Sequence, residues 1–165
     1  MSRTRATACL IAVAFTAAAC SGGGGLKRGS DGHVTSAGNL SVFDVREGDC
    51  IVPPTDVKAE LQTVKVVPCK DAHTQEAFAV EPYVNKANTK DDAYPGDQVL
   101  TAFADGVCLQ DYQDYVGVAY QDSKLFYTYL LPSARSWNEG KDRKVVCIVT
   151  TTGEQLTTSV KNSKK

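Results

Sequence analysis

Four cysteines constrain this chain more than any other feature: Cys50, Cys69, Cys108 and Cys147, all downstream of an N-terminal stretch built for export. In an exported domain an even set of cysteines reads as disulfides, and two covalent staples rule out most arrangements of a chain this short. None of the four stands in Cys-x-x-Cys spacing, so a thioredoxin-like redox site and a zinc ribbon have no support. Three pairings are open to four cysteines. Geometry favours Cys50–Cys69 and Cys108–Cys147. Residues 42–52 and 64–69 read as strands joined by Pro53-Pro54-Thr55-Asp56. A hairpin centred near Ala59 and Glu60 sets Cys50 opposite Cys69. Each bridge is worth about 3–4 kcal/mol by loop-closure entropy.

The export reading rests on residues 1–20. Arg3 and Arg5 form a basic start, residues 6–19 an Ala-rich apolar run, and Ala18-Ala19-Cys20 a small-residue cut before a thiol. The run is shorter than the ~20 residues a spanning helix wants. The layout resembles a bacterial lipobox, with Ala17 where Leu is commoner. The expectation is a leader over residues 1–19 and a lipidated Cys20 that anchors the chain on the extracytoplasmic face of the cell membrane. A plain secretory cut with Cys20 incidental is the alternative.

Without Arg3 and Arg5, Lys and Arg fall from 18 to 16 against 19 Asp and Glu, a net charge of −3. No basic face stands out, which argues against nucleic acid as a partner. Lys27-Arg28 and the tail over 161–165 read as solvated ends.

Residues 20–41 are rich in Gly and Ser and are expected to tether the domain, with His33 a solvated linker residue. The folded unit is expected over 42–160. Strands are predicted at 42–52, 63–68, 76–84, 124–131 and 144–151, with 156–160 pairing back after Gly153-Glu154. Val99, Leu100, Phe103, Val107 and Cys108 recur at helical spacing after Pro95-Gly96-Asp97. Gly106 inside that helix suits a close contact. Cys108 on its buried face can reach Cys147. The fold class is α+β: an antiparallel sheet with one main helix packed on a face and two disulfides.

The chemistry-bearing cluster is Cys69 to Glu76, where a thiol, His73 and a carboxylate lie close in sequence. A thiolate nucleophile with a His base would be a hydrolase pattern, but an oxidised Cys69 has no thiolate. Cys69, His73 and Glu76 as metal ligands match no common zinc spacing. No catalytic residue, metal or cofactor is therefore assigned. His73, Glu76, Trp137 and Arg143 are the candidate binding residues. Trp137 reads as a core plug or a ligand platform in a loop, and the tyrosines at 112, 115, 120, 127 and 129 as material for a binding face.

Together these residues resemble the septum formation domain of high-GC Gram-positive envelope proteins. The matching elements are Gly48-Asp49-Cys50, Val66-Val67-Pro68-Cys69 with His73 and Glu76, then Cys108, Pro132, Trp137, Gly140, Asp142-Arg143 and Cys147. Ala72 stands where the family often has Pro, and Lys141 separates Gly140 from Asp142. The resemblance implies division or envelope work without naming a reaction. The expected function is non-enzymatic binding of envelope or division proteins, or of cell-wall material. An envelope hydrolase using His73 and Glu76 and a metal or small-ligand carrier are the rivals.

Overall fold

A computed structural model describes residues 26–56, 60–85 and 93–165. The expected leader, Cys20 and the crest of the expected hairpin at Ala59 lie outside the described residues. Strands β1 (Lys27–Arg28) and β2 (Val34–Ser36) form a small antiparallel pair. The main sheet holds β3 (Gly38–Ser41), β4 (Cys50–Val52), β5 (Thr63–Val67), β6 (Gln75–Pro82), β7 (Phe126–Leu130) and β8 (Lys144–Thr150). Its order is β3-β5-β4-β6-β8-β7, and every neighbouring pair is antiparallel. Helix α1 (Asp97–Val116) packs on one face, and the short α2 (Ala134–Glu139) follows β7.

Strand β8, inside the sheet between β6 and β7, shows why the sheet needs cover on both sides. Val145, Cys147 and Val149 pack beneath α1 with Ala104, Cys108, Tyr112 and Val116. Val146 and Ile148 point the other way, against Val34, Val45, Val64 and Val66. An unbroken apolar run is what a strand buried on both faces requires. In β6 the register shifts between Ala77 and Ala79. This bulge puts Phe78 and Ala79 together on the helix side, while Ala77 serves the opposite core.

Both disulfides form as expected, Cys50–Cys69 and Cys108–Cys147. The hairpin register differs by two positions: Cys50 pairs with Val67. Cys69 reaches it diagonally from beyond Pro68. The second bridge ties α1 to β8.

Five expectations need correction. Residues from Leu26 onward are not a tether: they build β1, β2 and β3, because Val34, Leu26 and Leu40 supply apolar cover for the second sheet face. Residues 42–52 are not one strand, since Val42–Asp44 is a 3₁₀ turn capped by the Ser41 hydroxyl and only Cys50–Val52 pairs. Residues 156–160 do not fold back on β8. Instead His73 and Leu156 exchange backbone hydrogen bonds. The tail is docked, with the Asn162 and Lys164 amides donating to the Tyr115 and Val116 carbonyls. Finally, a Cβ at Gly106 would meet open space, so no close contact explains that glycine.

Candidate functional site

The Gly48-Asp49-Cys50 turn meets the start of β6. Gly48 has φ +84°, and an added Cβ would also crowd the His33 ring. Its amide donates to the Ala77 carbonyl at 2.7 Å, and the Ala77 amide returns to Asp49 at 2.9 Å. Asp49 is buried, yet its carboxylate is fully engaged. Arg28 grips it through two guanidinium nitrogens at 2.6 and 2.8 Å, and the Arg46 amide donates at 2.9 Å. A buried charge survives only when paired in this way. Arg28, expected to be solvated, thus clamps the N-terminal segment onto the domain.

Glu76 is fully buried on the helix side of β6. Tyr115 donates to Oε1 at 2.6 Å, Ser159 to the same oxygen at 2.5 Å, and the Val160 amide to Oε2 at 2.8 Å. One carboxylate therefore joins β6, α1 and the tail. Burial, and then the Glu76 charge, push the Tyr115 phenol well above its ordinary range. It remains a proton donor to the carboxylate.

His73 is buried beside this network. Its Nδ1 lies 2.8 Å from the Asp71 carbonyl, which can only accept, so Nδ1 carries the proton. Nε2 is buried with no protein partner. Among the described residues, the donor set compact enough for a cation is Cys50, Cys69 and Glu76. Its two sulfurs are spent on each other in the disulfide, and His73 is not in it. The expected ligand trio does not assemble.

Trp137 and Arg143 lie elsewhere. The loop expected around Trp137 is helix α2, capped reciprocally by Ser133 and Ser136. Trp137 is sealed in the core, edge-on to Tyr83 and Tyr94. The Arg143 guanidinium stacks 3.8 Å from its ring centroid and donates to its carbonyl at 2.7 Å. Trp137 is thus a plug and not a surface platform. Gln75 pairs with Thr150 and Pro82 with Lys144, so β6 carries Glu76 at one end, with His73 just before the strand, and meets the Trp137 cluster at the other. Its eight residues put roughly 20 Å between the two groups. Among the described residues, the four candidates therefore fall into two separate groups.

Sequence reasoning missed the open features. Glu47, Glu81, Asp111, Asp114, Tyr115 and Lys161 line a groove of about 410 Å³ between β6 and α1. Burial and the neighbouring Asp111 raise Glu81; burial, then Asp114 and Glu47, raise Asp111. The i, i+3 spacing of Asp111 and Asp114 was readable, but only the packing of α1 on β6 brings Glu81 to them. A second hollow of about 280 Å³ lies between Val42, Leu61, Leu130 and Asp142 on the opposite face. Among the described residues, no helix is long and apolar enough to cross a membrane.

Comparison with known proteins returns one family, described as Septum formation, whose model matches residues 47–165. No curated protein matches significantly. No solved structure does either. The match begins at Glu47, takes in the Gly-Asp-Cys turn, all four disulfide cysteines, His73, Glu76 and the Trp137–Arg143 cluster, and runs through the docked tail: the chain belongs to the Septum formation family.

Proposed function

We propose that this protein is a lipid-anchored, extracytoplasmic binding domain that acts in septum or envelope formation without catalysing a reaction. The observation that carries the binding reading is where the family-matching side chains point. Asp49, Glu76 and Trp137 are turned inward, and their polar contacts go to the protein's own backbone and side chains. Such residues hold a shape, and recognition is left to the exposed surface around them. The partner is an envelope or division protein, or cell-wall material, and Cys20 provides the anchor.

Crosslinking in intact dividing cells, followed by identification of the captured partners, tests the assignment. Division or wall-synthesis proteins are the expected yield. Hydrolysis of peptidoglycan fragments by the purified protein, abolished by His73→Ala in a variant that keeps its near-ultraviolet circular dichroism, would establish the hydrolase instead. Acyl labelling with a Cys20→Ser control tests the anchor, and equal labelling of both chains would remove it.

A further inference from the structure

The main sheet has two edge strands, β3 and β7. At β3, Gly38 sits so close to Leu26 that an added Cβ would lie 2.8 Å from its backbone nitrogen, which places the N-terminal segment over the sheet face there. At the other edge, β7 pairs only with β8 among the described residues. Its sequence, Phe-Tyr-Thr-Tyr-Leu, contains no proline, lysine or other charge, and its pairing with β8 has no bulge. These are the usual devices that keep an exposed edge from pairing. Phe126 is 47 % exposed, although it lies within a strand.

The strand is also close to a palindrome about Thr128. Antiparallel pairing with itself sets Thr128 against Thr128, Tyr127 against Tyr129 and Phe126 against Leu130. Aromatic and β-branched cross-strand pairs stabilise a sheet, and no like charges are opposed within it. Tyr127 and Tyr129 pack with the core on the α1 side, while Leu130 serves the opposite core. A two-fold axis normal to the sheet keeps these faces matched. It also sets Lys124, the exposed charge just before β7, opposite Pro132 of the other copy.

We propose that β7 is a self-association edge, through which two copies of this chain join antiparallel about Thr128 into one continuous twelve-stranded sheet. The interface is isologous and closes as a dimer, because the two free β7 edges are consumed by each other.

Directly opposed antiparallel residues have Cα atoms about 4.5–5.5 Å apart. This lies within the ~4.4–6.8 Å that a disulfide spans. The full chain carrying Thr128→Cys, expressed in its own cells and oxidised with copper phenanthroline, is therefore expected to run at twice its mass without reductant. Mass spectrometry should find the substituted peptide linked to itself. Asn39→Cys on the β3 edge, whose Gly-Asn-Leu-Ser sequence is not self-complementary, should stay monomeric. Adding Phe126→Glu to Thr128→Cys should abolish the doubled band, because two carboxylates then face apolar Leu130 positions. Peptides bridged through Cys50–Cys69 and Cys108–Cys147 report that each variant is folded. A Thr128→Cys chain that crosslinks no more than Asn39→Cys, or that links to a different protein, would overturn the proposal.

Discussion

Glu76 ties three parts of the structure together, because the three donors to its β6 carboxylate come from a helix, a tail hydroxyl and a tail amide. Glu76→Ala strands all three and is expected to cost about 3 kcal/mol, read as a lower urea midpoint. The Tyr115 partner makes the network sensitive to alkali. Its folded-state pKa is raised, so its contribution is complete below about pH 10, where the unfolded phenol begins to ionise. It is lost as pH climbs further. Unfolding midpoints followed from pH 8 to 11 should fall more steeply for the native chain than for Tyr115→Phe. Asp111 behaves oppositely to an ordinary paired acid. Its raised value makes the charge a liability once the unfolded carboxyl ionises near pH 4. Asp111→Asn should stabilise at pH 7 by about 0.2–0.5 kcal/mol, as expected for relieving a like-charge helix pair. The gain should vanish below about pH 3.5.

Among the elements, α1 carries the clearest imperfection. Gly106 is exposed in mid-helix, and a methyl group there meets nothing. Gly106→Ala should raise stability by about 0.5–1 kcal/mol, measured by thermal or urea unfolding. The disulfides act at the same scale. Cys108–Cys147 closes the longer loop, with a sequence separation of 39 against 19 for Cys50–Cys69. Paired Cys→Ala replacement should therefore cost about 4 kcal/mol at the first bridge and about 3 kcal/mol at the second. Helix α2 is only six residues long and holds Trp137 in place through its Ser133 cap. That reciprocal cap was visible neither as an Asp or Thr start nor as a long apolar period, so a loop was the natural reading.

Across the whole molecule, the two described ends of the chain are structural. Arg28 closes over Asp49, and Val160 is buried while its amide satisfies Glu76. Removing residues 156–165 should abolish cooperative unfolding, because it exposes a core face and leaves a buried carboxylate without two of its donors. Near-ultraviolet circular dichroism during urea titration would show a broad, early loss.

Local chemistry made much of this legible in the sequence. An even set of cysteines meant bridges, and the run over 144–151 meant a strand. The spacing of Leu100 and Cys108 meant a helix on that strand. These signals depend on neighbours a few residues apart. The site residues were legible as names, while their roles were not. Lys27-Arg28 looked solvated until Asp49 folded back on Arg28, and Glu76 stood with His73 as a candidate binding residue until Val160 and Tyr115 claimed its carboxylate. Trp137 and Arg143 looked available until Tyr83 and Tyr94 enclosed the ring. In each case the deciding partner lies tens of residues away, and only burial makes its hydrogen bond compulsory. The sequence by itself determined strands β5 to β8, helix α1, the bridges and the family. Tertiary structure alone decided which polar groups are consumed inside and which edge is left open, because desolvation is a property of the assembled fold and not of any segment.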